Sequence, residues 1–191
     1  MKKIGLTGGI GVGKTYVSKI FEQMGIPIFN SDEQAKRCMV EDVNLIDDVK
    51  LTFGENIYLR GILQKEVLAN IVFKNSNALT KLNALVHPIV KKKFEDWCNM
   101  QSTSLVIKEA AILFESDSHL DLDAVICVSA PESLRIARLK KRDGCSDMDL
   151  KNRMKKQMHQ VQKEELADFV IINDEETLLL PQIVNFLKEM E

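Results

Sequence analysis

The sequence lacks several features of secreted, membrane-bound or metal-stapled proteins. No run of about 18 apolar residues occurs, so we expect no transmembrane helix. The amino terminus has basic residues but few apolar ones before the first glycines, unlike a secretory signal peptide. The four cysteines form no C-x-x-C pair, which argues against a zinc site or redox motif and fits a reducing cytoplasm. We expect buried or incidental thiols at Cys38, Cys98, Cys127 and Cys145.

An excess of charge of one sign is also missing. The net charge is −2, so the bulk composition indicates neither a nucleic-acid partner nor an anionic membrane. There is no internal repeat, no low-complexity tract and no Pro/Gly-rich linker. With 45% hydrophobic and 28% charged residues, the chain of 191 residues is typical of one soluble globular domain over 1–191. A chain of this length buries a core unaided, so we expect a monomer.

Short apolar runs alternate with helical patterns along the chain. The runs are rich in β-branched residues and show no polar–apolar alternation, which is typical of strands buried on both faces of a parallel sheet. They occupy residues 4–6, 26–29, 105–107, 124–128 and 169–172. Helical patterns between them indicate α/β architecture, with helices flanking the sheet.

Two segments interrupt this alternation and divide the chain into a core (1–32, 101–137 and 161–191) and two additions. Residues 33–100 contain helical patterns without a convincing strand, and we interpret them as a helical insertion. Residues 138–160 are strongly charged, and we interpret them as a mobile basic element near the active site; the alternative is a solvated helix surface. The basic side chains of this element are Arg138, Lys140, Lys141, Arg142, Lys151, Arg153, Lys155 and Lys156.

Residues 8–15 match the phosphate-loop pattern G-x-x-x-x-G-K-[ST], between a predicted strand and a predicted helix. Glycines allow successive N–H groups to converge on an anion, and the helix adds its positive end. Lys14 can reach the β and γ phosphates of a nucleotide, and the Thr15 hydroxyl can bind Mg²⁺. The alternative is a glycine-rich turn that binds nothing. The predicted nucleotide-binding residues are Gly8, Gly11, Val12, Gly13, Lys14, Thr15 and Tyr16.

GTP switches, ATP-driven motors and small-molecule kinases share this loop. The absence of N-K-x-D and D-x-x-G argues against a GTPase. Residues 105–109 could form a motor strand ending in the acidic Glu109, although the chain is short for a motor. A kinase acting on a nucleoside, nucleotide or sugar acid, and a non-catalytic nucleotide-binding switch, remain open at this point.

A small-molecule kinase also needs a group that orients the acceptor hydroxyl, and positive charge around the transferred phosphoryl group. Asp32 follows the strand predicted at 26–29, and ligands bind at the carboxyl ends of parallel strands. The alternative for Asp32 is a helix N-cap. Arg138 and Arg142 are four residues apart, so they share a helix face and could close over the phosphates.

The ordered set of motifs resembles the dephospho-CoA kinase family over nearly the whole chain. The opening I-G-L-T-G-G-I-G-V-G-K-T is close to the family's own. In the first half of the chain, Asn30-Ser31-Asp32 resembles D-A-D, Phe53-Gly54 resembles F-G, residues 61–65 (Gly61 through Lys65) resemble G-x-L-D/N-R, and residues 82–88 (Leu82 through Pro88) resemble L-N-x-I-x-H-P. In the second half, residues 111–115 (Ala111 through Glu115) resemble P-L-L-F-E, and Arg138 with Arg142 matches R-x-x-x-R. Residues 153–157 (Arg153 through Gln157) match R-x-x-x-Q, and residues 167–173 (Ala167 through Asn173) match A-D-x-V-I-x-N. This set is far more specific than the phosphate loop alone.

The resemblance implies a P-loop core with a parallel sheet, a helical CoA-binding insertion (33–100) and a basic lid (138–160). It implies a cytoplasmic enzyme of coenzyme A synthesis, with ATP and Mg²⁺, that phosphorylates the ribose 3′-hydroxyl of dephospho-CoA. Asp32 resembles the family's catalytic base or orienting residue, with Lys14 and Arg138 as further catalytic residues.

The resemblance also extends the list of binding residues. Arg138, Arg142 and Asn173 are expected on ATP, and Asp32, Lys65, His87 and Glu109 on the substrate side. For His87, the alternative is a structural histidine at a helix start. The sequence departs from the family pattern at Asn30, Lys65, Glu109 and Ala111.

Overall fold

The computed structural model describes residues 1–144, 150, 153–155 and 157–190. Two compact units are present: Met1–Phe29 together with Gln101–Glu191, which we call the sheet unit, and Asn30–Met100, which we call the helical unit. Part of the predicted basic element, including Lys151 and Lys156, lies outside the described residues, as does Cys145.

A five-stranded parallel sheet lies in the middle of the sheet unit, with strand order β2-β5-β1-β6-β7. The described pairings of β1 with β5 and β6, and of β6 with β7, are parallel. In chain order the strands of the protein are β1 (Lys2–Thr7), β2 (Ile28–Asn30), β3 (Tyr58–Leu59), β4 (Ile62–Leu63), β5 (Leu105–Glu109), β6 (Ala124–Ser129) and β7 (Phe169–Ile172). The five strands predicted from apolar runs, and the α/β class, are confirmed.

Helices of the sheet unit cover the apolar sheet. They are α1 (Lys14–Gln23), α6 (Glu132–Asp143), α7 (Gln160–Leu166) and α8 (Leu179–Glu189). Ile4, Ile107 and Ile126 of the strands are fully buried, which explains why these strands show no polar–apolar alternation. The Phe186 ring of α8 meets the rings of Phe21 in α1 and Phe169 in β7 edge-on, with centroids 6.3 and 5.4 Å away. The core therefore fixes the position of α1, which follows the phosphate loop.

The helical unit consists of α2 (Ser31–Glu41), α3 (Val43–Phe53), a 3-10 turn (Glu55–Ile57), α4 (Lys65–Lys74) and α5 (Ser76–Asn99), together with the antiparallel pair β3 and β4. The prediction that residues 33–100 contain no strand is therefore wrong. Each strand has only two residues, which is too short to show a period. The turn between them has positive φ at both positions, 51° at Arg60 and 78° at Gly61, as the type I′ hairpin turn requires.

One long helix, α5, contains both His87 and Pro88 in its interior. His87 is thus not a helix-start histidine, and that alternative is wrong. Proline removes one backbone hydrogen bond from a helix, but the remaining bonds of a 24-residue helix carry it past this position. In the described part of the chain, no helix is long and apolar enough to cross a membrane.

Candidate active site at the phosphate loop

The loop between β1 and α1 is built on three glycines with positive φ: 144° at Gly8, 86° at Gly11 and 92° at Gly13. A Cβ atom at Gly8 would lie 2.5 Å from the carbonyl oxygen of Val128. A Cβ at Gly13 would overlap the side-chain amide of Asn173. Glycine is therefore required by both conformation and space. The N-cap of α1 is Gly13, which has no side chain that could cap the helix, so the first N–H groups of α1 face the loop without a side-chain cap.

Lys14 and Thr15 form the first turn of α1. The Lys14 ammonium donates to the Gly8 carbonyl at 2.7 Å, so the side chain spans the loop from its end to its beginning. Thr15 and Tyr16 are exposed, whereas Val12 is fully buried. The loop thus combines a buried apolar anchor with exposed polar groups at the start of the helix.

Arg138 of α6 contacts the same loop. Its guanidinium donates to the carbonyl oxygens of Val12, at 3.2 Å, and Asn173, at 3.0 Å, and pairs with Glu175 at 3.0 Å. The Asn173 side-chain amide donates to the Val12 carbonyl at 2.7 Å. The structure therefore brings together three of the predicted nucleotide-binding residues: Val12, Arg138 and Asn173.

Arg142, one turn further along α6, has different partners. Its guanidinium donates to both carboxylate oxygens of Asp143, at 2.7 and 3.0 Å, and its side chain is 64% exposed. Arg153 donates to the same carboxylate at 2.9 Å. These hydrogen bonds, first that from Arg142, lower the pKa of the Asp143 carboxyl group. Although Arg138 and Arg142 share a helix face, their described ion pairs therefore differ.

Glu109 stands at the end of β5, opposite Leu6 of β1, and is only 6% exposed. It accepts a hydrogen bond from the buried Ser18 hydroxyl at 2.8 Å. Ser18 lies one turn after Lys14 in α1. The buried acid therefore connects a carboxyl end of the sheet to the helix that follows the phosphate loop.

The three predicted site residues of the helical unit lie on three different helices. Asp32 is exposed in the first turn of α2, but the N-cap is Asn30, whose side-chain oxygen accepts the Glu33 N–H at 2.9 Å. The capping alternative for Asp32 is therefore wrong. Lys65 is the exposed first residue of α4, and His87 is half-buried in α5.

Three side chains that contact the loop were not among the predicted site residues. Arg135 is 6% exposed and donates to the Ile10 carbonyl at 3.0 Å; burial lowers the pKa of its guanidinium. Gln157 and Gln160 accept backbone N–H groups of the loop. The R-x-x-x-Q motif contains Gln157, but nothing in its spacing says that the amide reaches a loop more than 140 residues earlier.

The residues of the loop fit a nucleotide-bound magnesium ion better than a metal held by protein ligands alone. Within the described ranges, no group of three or more His, Cys, Asp or Glu side chains could hold a metal ion. Mg²⁺ usually keeps water ligands and binds through one or two protein groups plus substrate phosphates. Thr15, an exposed residue that follows Lys14 in the first turn of α1, carries a hydroxyl that can serve as such a protein group.

Comparison with known proteins shows the family to which this chain belongs. The family model described as dephospho-CoA kinase matches residues 2–178. A dephospho-CoA kinase of Bacteroides fragilis is 38% identical over 186 residues, covering 97% of this chain and 91% of the relative. A Thermus thermophilus crystal structure has a TM-score of 0.85 at 30% identity, covering 99% of this chain and 95% of its own. A dephospho-CoA kinase structure from Campylobacter jejuni, 24% identical, shows the same fold with a TM-score of 0.69, covering 100% of this chain and 98% of its own. The chain therefore belongs to the dephospho-CoA kinase family.

Proposed function

We propose that this kinase transfers the γ-phosphoryl group of MgATP to the ribose 3′-hydroxyl of dephospho-CoA, giving coenzyme A and ADP. This is the last step of coenzyme A synthesis. The observation that carries the proposal is the glycine-built phosphate loop with Lys14 across it, in a chain that matches the family over residues 2–178.

The hydrogen-bond donors of the phosphate loop account for the binding of ATP. The N–H groups at the start of α1 bind the phosphates of ATP, and the Lys14 ammonium exchanges the Gly8 carbonyl for the β and γ phosphates. The Thr15 hydroxyl would hold Mg²⁺, which would neutralise charge on the transferred group. Arg138, which already touches the loop at Val12, adds a second cation, and Asn173 orients it.

The acceptor side involves side chains of the helical unit. The Asp32 carboxylate orients the 3′-hydroxyl and accepts its proton. We assign the CoA-binding insertion to residues 33–100, with Lys65 and His87 as contacts to dephospho-CoA. Glu109 lies at a carboxyl end of the parallel sheet, the edge where such sheets bind ligands, and serves the same substrate. Residues 138–160 form the lid, and Arg142 reaches ATP after leaving Asp143.

We also propose that the enzyme acts as a cytoplasmic monomer. The thiols of Cys38, Cys98 and Cys127 are buried, as suits a reducing compartment. Size-exclusion chromatography with light scattering would give a mass near 21.7 kDa; a mass of twice that value would contradict the monomer.

The decisive test measures ADP release by the purified protein with ATP and Mg²⁺. Dephospho-CoA is compared with a panel of nucleosides, nucleotides and sugar acids, and the product is identified by mass spectrometry. We expect release only with dephospho-CoA, formation of coenzyme A, and loss of both when EDTA removes the metal. Release with another acceptor would overturn the substrate assignment. ATP binding without release for any acceptor would favour a nucleotide-binding switch.

A further inference from the structure

The backbone of Gly9 and Ile10, early in the phosphate loop, is held by three side chains from later in the chain. Gln160 accepts the Gly9 N–H at 2.8 Å, and Gln157 accepts the Ile10 N–H at 2.9 Å. Arg135 donates to the Ile10 carbonyl at 3.0 Å. Two consecutive N–H groups and one carbonyl of the loop therefore have fixed side-chain partners.

The Gln160 amide can make its contact with Gly9 in only one orientation. Its nitrogen donates to the Val128 carbonyl at 3.1 Å and to the Glu164 carboxylate at 2.7 Å, so its oxygen faces Gly9. The Arg135 and Gln160 side chains also pack closely against Gly9. A Cβ atom at Gly9 would lie 2.5 Å from the Arg135 guanidinium and 2.9 Å from the Gln160 oxygen.

An ion pair with one fully buried partner, Lys163, fixes the helix that carries Gln160. Lys163 of α7 is fully buried and donates to the Ala111 carbonyl at 2.8 Å and to Glu115 at 2.9 Å. The other oxygen of Glu115 accepts the Met158 N–H at 2.8 Å. Glu115 therefore ties the chain on both sides of Gln160, which defines where the amide meets the loop.

From these contacts we propose that Gln160 is a positioning residue for ATP binding, assisted by Gln157 and Arg135. A loop rich in glycine loses much conformational freedom when it closes on a ligand. Side chains that hold Gly9 and Ile10 before ATP arrives reduce that loss, so the ligand binds more tightly. This inference rests on the proposed function, in which the loop binds ATP. It assigns a role in nucleotide affinity to residues that do not touch the reacting atoms.

The main experiment compares Gln160→Met with Gln162→Met. Gln162 lies on the same helix and is exposed, so its replacement changes helix chemistry without touching the loop. We expect Gln160→Met to weaken ATP binding, measured by calorimetry without acceptor, about tenfold, the equivalent of about 1.4 kcal/mol for the loss of a buried hydrogen-bond partner. The KM for ATP should rise in parallel, while kcat and the KM for dephospho-CoA stay within about twofold. Gln162→Met should match the wild type in all three.

A rescue experiment tests the orientation of the amide. Gln160→Glu keeps an acceptor for Gly9 but places a carboxylate beside Glu164, so ATP binding should weaken. Adding Glu164→Gln supplies a donor opposite the new carboxylate and should recover at least about threefold of the lost affinity. No recovery would contradict the hydrogen-bond arrangement proposed for Gln160.

The outcomes separate this inference from the proposed function. If wild-type protein binds ATP but does not phosphorylate dephospho-CoA, the function fails, and the calorimetric comparison still tests Gln160. If Gln160→Met binds ATP within about twofold of wild type, or weakens both substrates equally, the positioning role is overturned. Should Gln160→Met not fold, Gln157→Met removes only the bond to Ile10; an unchanged ATP affinity in that variant would then overturn the inference.

Discussion

In the sheet unit, side chains from α6, α7 and the segment after β7 meet on the backbone of one loop, and many of their hydrogen bonds end on its carbonyl or N–H groups. In the helical unit, the predicted site residues stand on three helices: Asp32 on α2, Lys65 on α4 and His87 on α5. Several side chains thus hold the backbone of the phosphate loop. The residues predicted to contact the acceptor are individual side chains on separate helices.

This contrast teaches how the two substrates should respond to mutation. Changes around the loop should act on ATP affinity, since they disturb a backbone shape that several side chains maintain. Changes in the helical unit should alter the KM for dephospho-CoA or the kcat, and should leave ATP affinity unchanged. Substitutions in both units test that division.

The largest effect is expected for Asp32→Asn. The amide cannot accept the hydroxyl proton, so kcat should fall about 1000-fold, within the usual range for a general base. The dissociation constant for ATP should stay within about twofold, because Asp32 belongs to the helical unit. Glu33→Gln, at the next exposed position of α2, is the control and should turn over normally. Turnover within a few-fold of wild type in Asp32→Asn would exclude the assignment of Asp32 as base.

The next largest effect is expected for Gly13→Ala. Its φ of 92° and the overlap of a Cβ with the Asn173 amide force the loop to change shape. ATP affinity should fall about 100-fold, or about 2.8 kcal/mol, as measured by calorimetry. Gly25→Ala is a matched control because Gly25 has a φ of 82° but nothing within 4 Å of its added Cβ. It therefore carries the same kind of backbone strain without touching the loop, and equal losses in both variants would mean that strain alone decides ATP affinity.

A smaller effect is expected for Lys65→Ala. Removing this exposed ammonium at the start of α4 should raise the KM for dephospho-CoA about tenfold, as the loss of one charge-assisted contact does. ATP affinity should not change. Lys74→Ala, at the other end of the same helix, provides the comparison in steady-state kinetics. An increase in KM shared by both variants would point to general electrostatics instead of a specific contact.

The smallest effect concerns pH. Burial raises the pKa of the Cys127 thiol in β6 to about 11 from an ordinary value of 9.0. The folded state therefore favours the neutral thiol, and the stability this contributes is complete below pH 9 and is lost as the pH rises towards 11. Between pH 8 and 10.5, urea unfolding should show wild type losing stability by of the order of 1 kcal/mol more than Cys127→Ala does. Equal losses would contradict the shift.

The same comparison can be repeated in the helical unit. Burial also raises the pKa of the Cys38 thiol there. Cys38→Ala should change the pH dependence in the same direction as Cys127→Ala. The opposite sign would show that desolvation does not control both thiols.

Several parts of the molecule could be predicted from sequence because their causes are local. The phosphate loop needs glycines at positive φ and a lysine at the helix start, and both requirements are visible in one eight-residue pattern. Strands buried on both faces leave apolar runs, so all five strands of the parallel sheet were predicted within a few residues of their observed ends. The small hairpin of β3 and β4 escaped because two-residue strands carry no period.

Where two residues suit the same role by sequence, only their neighbours in the folded protein show which of them takes it. Asn30 and Asp32 are both good capping residues, and only the backbone at the start of α2 shows that Asn30 takes the cap. Arg138 and Arg142 are equivalent by spacing, yet one guanidinium donates to the loop and the other pairs with Asp143.

The order and spacing of the motifs, without coordinates, indicate a nucleotide phosphate loop between a strand and a helix and the family of the chain. Tertiary structure alone decided which distant side chains complete that loop: Arg135, Gln157 and Gln160 reach it across more than 120 residues of chain. The physical reason is that a glycine's conformation is a property of its own backbone. A hydrogen bond to Gly9 depends on where the sheet, α7 and the Lys163–Glu115 pair place its partner Gln160.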